Sequence, residues 1–293
     1  MSRGKGEGGR GKGEGGRGKN DARSRKDQVG VRRPRKRFGQ HFLEPVWVAK
    51  VVDAIDPIVD DTFLEIGPGR GALTRPLATR AGHVVAVEID RDLAAALDRE
   101  HIPNLRVVQS DFLELDLETA LKDERPPIRV AGNLPYNVSS PILFRLLKAA
   151  NGGRFFIDAT LMLQKEVADR LAATPGEKDY GALAIQVALT ADVRPVLTLP
   201  PGAFRPPPKV TSAVVRLRFR PPSVDVGDPL VFERIVRGIF LQRRKTIANA
   251  LRPVADSLGR SAVQLLERAA VDARLRPEAL TLGDIARLSR AVL

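Results

Sequence analysis

The fold is decided by residues 62–72, which read TFLEIGPGRGA. Thr62–Ile66 is a short, mainly apolar run with aromatic and β-branched residues, and such a run is typical of a buried strand. Gly67, Gly69 and Gly71 follow directly, and they predict a tight turn from this strand into a helix. In open α/β sheets, ligands bind at the carboxyl ends of parallel strands, so this turn is the first candidate for a ligand site.

Strands and helices alternate downstream of this turn. Apolar runs predict strands at residues 83–87, 105–109, 128–131, 156–163, 193–197 and 213–219. Helices are predicted around residues 72–77, 91–100, 141–149 and 164–172. This alternation is typical of a doubly wound, mostly parallel sheet, so we predict an α/β fold with a Rossmann-like domain at residues 37–220.

A second region begins after Pro221-Pro222, which form a stiff break in the chain. Beyond the break the apolar pattern is helical only. Helices are predicted at residues 229–241, 243–251, 261–269 and 282–292. We therefore expect a small C-terminal all-α domain at residues 221–293.

Residues 1–36 form a basic tail with its own composition. Of the chain's net charge of +13, residues 1–37 contribute +10. The glycine-rich repeat RGKGEGG begins at Arg3 and again at Arg10, and such a segment cannot build a core, so it predicts disorder. Two interpretations of this tail stay open: it is a flexible arm that contacts RNA phosphates, or it is a dispensable extension.

The composition excludes several kinds of site. The chain has no cysteine, which excludes disulfides, thiolate zinc sites and cysteine nucleophiles. Its three histidines lack ligand spacing, so we expect no metal site. No apolar run approaches the roughly 20 residues that span a bilayer, and we expect a cytoplasmic protein without a membrane partner.

Acidic residues mark the ends of the next two predicted strands. Glu88 follows one of them and is placed to accept hydrogen bonds from ribose hydroxyls. Asp111 follows the other and is placed to accept one from an adenine amino group. Together with the glycines, they indicate a slot for an adenosine.

Two cofactors contain that adenosine. Gly67, Gly69 and Ala72, with Glu88 further on, also satisfy a relaxed dinucleotide fingerprint. S-adenosylmethionine (SAM) is favoured because Glu65 can receive its cationic amino-acid end and because Asp111 recognises the base. A structural strand–helix turn is the third interpretation of the glycines.

Asn133, Leu134, Pro135 and Tyr136 follow the strand predicted at residues 128–131. The exocyclic amine of adenine is a poor nucleophile, and acceptors that hold its N–H groups aim its lone pair at a methyl carbon. The Asn133 side-chain oxygen and the Leu134 carbonyl can serve as these acceptors, while Pro135 stiffens the loop and Tyr136 offers a ring for stacking. An ordinary turn is the alternative.

Five motifs now occur in order. They are RFGQHFL at 37–43, EIGPG at 65–69, NLPY at 133–136, FRPPPKV at 204–210 and QRRKT at 242–246. Together they resemble the small-subunit ribosomal RNA adenine dimethyltransferases of the KsgA type. The resemblance covers residues 37–293 and leaves the tail outside.

The resemblance implies a SAM-dependent methyltransferase that dimethylates the N6 amino groups of two adjacent adenosines. Their expected place is the 3′-terminal hairpin loop of small-subunit (16S) rRNA. It also implies a role in small-subunit biogenesis, and we expect a monomer that acts on this rRNA or on the immature 30S subunit. By position, cofactor contacts are implied at His41, Leu43, Gly67, Glu88, Asp111 and Asn133. Position 41 often holds Asn in such proteins, and the histidine of this chain can likewise donate or accept a hydrogen bond there.

The methyl acceptor is expected among Asn133, Leu134, Tyr136 and Phe204. Phe204 precedes a triple proline that stiffens the segment, so Tyr136 and Phe204 are predicted to sandwich a flipped base. A core position is the alternative for Phe204.

Arg243, Arg244 and Lys245 stand at a predicted helix start, where positive charge opposes the helix dipole. This placement favours RNA phosphates as their partners, and a solvated charged face is the alternative. Two other functions stay open: a large-subunit rRNA methyltransferase of the macrolide-resistance type, and a non-catalytic RNA-binding assembly factor.

Overall fold

The computed structural model describes residues 41–293, whose centre is a mixed seven-stranded sheet. The predicted tail and residues 37–40 of the first motif lie outside the described residues. The strands are β1 (Phe42–Leu43), β2 (Thr62–Ile66), β3 (His83–Glu88), β4 (Leu105–Gln109), β5 (Ile128–Asn133), β6 (Phe156–Gln164), β7 (Ala191–Leu199), β8 (Phe204–Arg205) and β9 (Ser212–Phe219). The helices are α1 (Pro45–Ile55), α2 (Thr74–Arg80), α3 (Arg91–Asp98), α4 (Leu117–Ala120), α5 (Ser139–Ala149), α6 (Lys165–Ala172), α7 (Ala182–Thr190), α8 (Pro229–Leu241), α9 (Ile247–Ser257), α10 (Ala262–Ala269) and α11 (Leu282–Arg290).

The sheet has the order β4-β3-β2-β5-β6-β9-β7. The strands from β4 to β6 pair in parallel, whereas β9 runs antiparallel to both β6 and β7. The prediction of a mostly parallel α/β sheet is therefore confirmed. Strands β1 and β8 form a separate antiparallel pair, with Leu43 opposite Phe204.

Alternating side chains of the parallel strands enter two different apolar layers. Phe63 and Val84 pack on one face with α1 and α2. Leu64 and Val85 pack on the other face with α5 and α6. Burial on both faces explains why these strands read as continuous apolar runs.

A third apolar cluster lies among α8, α9, α10 and α11. It also includes Tyr180, Ala184 and Ile185, which precede Pro221 in the chain. The helical region thus shares its core with α7, and the boundary at residue 221 stays a prediction.

Several elements differ from the sequence-based expectation, and helices α1 and α4 and strands β1 and β8 were not predicted. Helix α9 begins at Ile247 and not at Arg243, because Thr246 takes an extended conformation as its N-cap. Helix α7 was not predicted, since its sequence ALAIQVALT is apolar all round and carries no helical period. Within residues 41–293, no helix combines the length and the apolar character that crossing a membrane requires.

Candidate active site

A pocket of about 330 Å³ opens at the carboxyl ends of β2, β3, β4 and β5. These four strands are parallel neighbours, so their last residues meet at one edge of the sheet. The residues predicted to contact the cofactor all line it: His41, Leu43, Gly67, Glu88, Asp111 and Asn133. Leu134, Pro135 and Tyr136 line it as well.

The glycine loop, residues 67–71, forms the floor of this pocket behind β2. Gly67 and Gly69 have φ values of +69° and +60°, a conformation that side chains rarely adopt. The Gly67 N–H donates to the Val87 carbonyl (2.9 Å), and the Gly69 N–H donates to Glu88 Oε2 (2.9 Å). The loop is thereby tied to the end of β3, with its backbone exposed to a ligand.

Glu88 is buried at the end of β3. Its carboxylate accepts the N–H groups of Gly69 and Asp90, and burial raises its pKa above the ordinary range despite these bonds. A carboxylate has about four acceptor positions, so it can also accept from a ribose hydroxyl. Asp90 instead caps α3 by accepting from the Asp92 and Leu93 N–H groups.

Glu65 lies in the floor of the pocket with 1% of its surface exposed. Burial raises the pKa of its carboxyl to about 7. The nearby Thr74 hydroxyl lowers the pKa of this carboxyl, but within ordinary hydrogen-bond geometry its Oε2 atom has no partner among the described residues. A buried acceptor without a partner is costly, so this atom suits a cationic ligand group.

Asp111 follows β4 and also lines the pocket. Its Oδ1 atom accepts the Leu113 N–H (2.8 Å). Arg145 on α5 donates to the carbonyls of Leu113 and Leu115, which holds this loop against the sheet. The carboxylate is therefore fixed at the pocket edge before any ligand binds.

The acceptor loop, residues 133–138, begins at the last residue of β5. A Cβ atom at Gly132 would lie 2.7 Å from the Ile66 carbonyl oxygen, so glycine lets β5 approach β2 at this point. The Leu134 N–H donates to the Met162 carbonyl (3.1 Å), and the Val138 N–H donates to the Pro135 carbonyl (3.1 Å). The first bond ties the loop to β6, and the second closes a turn within the loop.

Asn133 and Tyr136 are each held by a long-range contact. Asn133 Nδ2 donates to the His41 carbonyl (3.1 Å). The Tyr136 hydroxyl and Ser212 Oγ share a hydrogen bond of 2.6 Å, and burial raises the pKa of this phenol. Both side chains thus have defined positions at the pocket wall.

Comparison with known proteins identifies the family. The family model described as ribosomal RNA adenine dimethylase matches residues 31–289. The chain belongs to that family. It is accordingly a SAM-dependent rRNA methyltransferase.

Named relatives and solved structures agree with this dimethylase assignment. The chain is 46% identical to the ribosomal RNA small subunit methyltransferase A of Nitrosococcus oceani, over 88% of this chain and 96% of that protein. The corresponding protein of Idiomarina loihiensis is 43% identical, over 88% and 87%. A dimethyladenosine transferase from Plasmodium falciparum has a TM-score of 0.70 at 27% identity, covering 85% of this chain and 96% of that one. The 23S rRNA methyltransferase ErmE has a TM-score of 0.59 at 28% identity, covering 86% and 99%.

The pocket of this dimethylase fits SAM, and the preference for SAM over a dinucleotide is confirmed. Glu65 Oε2 is a buried acceptor without a hydrogen bond among residues 41–293, and such an atom suits an ammonium group. Glu88 and Asp111 stand at the neighbouring strand ends, as an adenosine requires.

Phe204 does not lie in the pocket wall of the dimethylase. Its ring is 1% exposed and packs in the apolar layer that includes Leu43, Met162 and Val214. The cause is the pairing of β8 with β1, which turns Phe204 inward while Arg205 points to solvent. In this structure Phe204 thus takes the alternative given in the sequence analysis, a position in the apolar core.

The basic cluster at residues 243–245 also differs from the prediction in its setting. It occupies the turn between α8 and α9 and precedes the helix start. Arg243 donates to the Lys178 carbonyl (2.7 Å) and pairs with Glu278 (3.1 Å). Arg244 and Lys245 are exposed, so they are the members of this cluster placed to meet a polyanion.

Some site features could not be found from the sequence. The His41 and Tyr136 rings lie nearly parallel, with centroids 5.7 Å apart and 25° between their planes. Ser212 holds the Tyr136 hydroxyl from a strand far along the chain. Neither contact leaves a local sequence signal, because each partner comes from a distant segment.

Proposed function

We propose that this methyltransferase dimethylates the N6 amino groups of two adjacent adenosines in the 3′-terminal hairpin loop of small-subunit rRNA. It would act as a cytoplasmic monomer on the immature 30S subunit during small-subunit biogenesis. One observation carries the proposal: an adenosine-type cofactor slot and the acceptor loop line one pocket. The relatives at 43–46% identity bear the name small subunit methyltransferase.

The orientation of the Asn133 amide supports its assigned role. The His41 carbonyl can only accept, so the Asn133 NH₂ group must be the one that faces it. Oδ1 is then the atom left to accept an N–H of the target amine. Pro135 and Tyr136 use their carbonyls for Val138 N–H and Ser139 Oγ, which leaves the Leu134 carbonyl as the second acceptor.

In this proposal some residues of the pocket bind the cofactor and others orient the acceptor. Glu65 would hold the ammonium group of SAM, Glu88 its ribose and Asp111 its adenine. SAM supplies a methyl group activated by its sulfonium when it is bound. Asn133 and Leu134 orient the acceptor nitrogen, so rate enhancement comes from positioning and fixed dipoles.

The two alternatives have less support. ErmE, which is named for 23S rRNA, is 28% identical to this chain, whereas the small-subunit enzymes reach 43–46%. A non-catalytic assembly factor would not need Glu65, Glu88, Asp111 and Asn133 in one pocket. Small-subunit dimethylation therefore accounts for more of the observations.

Mass-spectrometric mapping of rRNA from cells with and without the protein tests the proposal. We expect dimethyladenosine at two adjacent positions near the 3′ end of small-subunit rRNA, present only with the protein. Loss of methylation from large-subunit rRNA in the deleted strain would instead support the large-subunit alternative. Identical maps would contradict the proposed activity.

Arg244 and Lys245 are expected to contact RNA phosphates. The double variant R244A/K245A should reduce the slope of log affinity against log salt by about 2, since each lost phosphate contact removes about 0.9 from it. Filter binding or fluorescence anisotropy across a salt series measures this slope. K122A/R125A is the matched control, because Lys122 and Arg125 are exposed just before β5. They lie at the amino ends of the parallel strands, whereas the pocket lies at the carboxyl ends. Equal slopes for the two double variants would exclude the basic turn from the interface.

A further inference from the structure

We propose that Ser212 is a positioning residue for the methyl transfer, and that it acts by holding the Tyr136 ring in the orientation that receives the target base. This inference rests on the proposed adenine methylation, in which Tyr136 offers a ring for stacking. It adds to the reaction a side chain that lies far along the chain from the motif at residues 133–136.

Ser212 reaches the acceptor loop because β9 runs antiparallel to β6. It is the first residue of β9 and pairs with Gln164, the last residue of β6. Strand β6 is the parallel neighbour of β5, whose last residue begins the acceptor loop. The start of β9 therefore lies at the same edge of the sheet as the acceptor loop, although Ser212 follows Tyr136 by 76 positions.

The hydrogen bond between the two side chains is short and shielded from water at the serine end. The Tyr136 hydroxyl and Ser212 Oγ are 2.6 Å apart, and Ser212 is fully buried. Burial raises the pKa of the Tyr136 phenol, so its hydroxyl keeps the proton at neutral pH. A buried hydroxyl that loses its partner has no water to replace it, so breaking this bond is costly.

The main chain at Tyr136 is held independently of the ring. The Tyr136 carbonyl accepts from Ser139 Oγ (3.3 Å), and the Val138 N–H donates to the Pro135 carbonyl. With the main chain fixed, the ring can still turn about its Cα–Cβ bond. The bond to Ser212 opposes this rotation at the far end of the side chain, so the direction of the ring is set before a base arrives.

A preset ring is expected to act on the transfer step more than on binding of the RNA. Phosphate contacts supply most of the affinity for RNA, whereas the ring meets a single base after that base has left its stack. A ring that turns freely lowers the fraction of bound bases whose amine lies at Asn133. The loss should therefore appear in kcat, with little change in KM.

Two substitutions each remove the bond from one side. Ser212→Ala removes the serine hydroxyl, and Tyr136→Phe removes the phenol hydroxyl while it keeps the ring. Ser289→Ala is the matched control, because Ser289 is also fully buried, in α11, and its Oγ has no hydrogen-bond partner among residues 41–293. Thermal unfolding of each variant is the check on folding.

The kinetic test is single-turnover methylation of immature small-subunit particles from cells that lack the protein. We expect S212A and Y136F each to lower kcat about fivefold, the scale on which ordering one side chain acts. The double variant S212A/Y136F should have the kcat of either single variant, because both changes remove the same bond. S289A should keep the wild-type kcat. KM for the particle and Kd for SAM should stay near their wild-type values in all four variants.

A second readout needs no substrate. The chain has two tyrosines, Tyr136 and Tyr180, so fluorotyrosine labelling gives few fluorine NMR signals, and Y136F assigns them. S212A should shift or broaden the Tyr136 signal, because a fluorine beside the hydroxyl reports on its hydrogen bond. The Tyr180 signal should stay in place, since its hydroxyl donates to the Leu280 carbonyl in the helical region.

Four results would overturn the inference. A wild-type kcat in S212A would mean that the bond does not position the base. A loss in the double variant equal to the product of the two single losses would mean that Ser212 does not act through the Tyr136 hydroxyl. An equal loss in S289A would assign the effect to removal of any buried hydroxyl. An unchanged Tyr136 fluorine signal in S212A would mean that Ser212 does not hold the phenol.

The outcome for the proposed function is read separately. If S212A does not fold, Y136F carries the test, and a wild-type kcat in Y136F would equally contradict the inference. If the wild-type protein fails to dimethylate the particles, the proposed function fails, whereas the four results above leave that function standing.

Discussion

Replacing Asn133 with alanine is expected to lower kcat by at least about 100-fold, the scale on which removal of one preorganised polar group acts. The reason is that Asn133 Oδ1 is the side-chain acceptor assigned to the target amine, since Nδ2 is engaged by the His41 carbonyl. The Kd for SAM should change by no more than a few-fold. Single-turnover methylation with saturating SAM measures the first quantity, and calorimetry measures the second.

Asn137→Ala provides the matched control for this experiment. Asn137 is the same residue type in the same loop, but it is exposed and has no acceptor role in the proposed transfer, so its loss should leave kcat near the wild-type value. Asn133→Asp keeps an acceptor oxygen but sets a carboxylate against the His41 carbonyl, and its rate should fall between those of wild type and N133A. Wild-type turnover by N133A would remove Asn133 from the transfer step.

The cofactor half of the site was predictable from the sequence for a topological reason. Gly67, Glu88 and Asp111 each follow a strand whose apolar run is easily recognised. Parallel neighbours bring their carboxyl ends to one edge, so finding the strands also places the residues that follow them. No side-chain geometry was needed for that step.

The acceptor half was only partly predictable, because it depends on contacts between distant segments. Phe204 sits beside a triple proline, which suggested a displayed ring, but the pairing of β8 with β1 buries it. His41 meets Tyr136 across nearly a hundred positions of the chain, and its backbone meets Asn133 over a similar separation. Local patterns carry no information on such pairings.

The basic turn shows a third kind of limit. Arg243, Arg244 and Lys245 are alike in sequence, yet Arg243 is paired with Glu278 while the other two are exposed. The sequence shows only that the three residues are basic. In the folded protein, Arg243 links the end of α8 to Glu278 in the segment before α11, and this contact distinguishes it from Arg244 and Lys245. This division of roles is why the RNA-binding prediction uses the R244A/K245A pair.

The second large effect is expected at Glu65. The pKa of its carboxyl is raised by burial to about 7 in the folded protein, from 4.5. Between these values the folded state keeps a proton that the unfolded state releases, so the free energy of unfolding declines as pH rises through this window. Glu65→Gln removes that titration. The stability of E65Q relative to wild type should therefore increase by about 2–3 kcal/mol between pH 5 and pH 8.

Urea titrations at several pH values measure this difference, and a constant offset from the new amide does not affect it. Glu114→Gln is the control, because Glu114 is exposed in the segment after β4 and its loss should reproduce the wild-type pH profile. Parallel profiles for wild type and E65Q would contradict the assignment of the titration to Glu65.

The same carboxyl should link SAM binding to pH with the opposite sign. An ammonium group beside Glu65 favours the charged form, so binding near pH 6.5 should release a proton in the wild type, and affinity should rise as pH approaches about 7. E65Q should release fewer protons and bind SAM about 100-fold more weakly, since the cation loses a buried partner. Calorimetry in buffers of different ionisation enthalpy counts these protons, and the titration of SAM itself cancels between the two proteins. Glu65 is thus expected both to make the stability of the free enzyme fall as pH rises and to hold the cofactor, so Glu65→Gln should flatten the pH dependence of stability while it lowers the affinity for SAM.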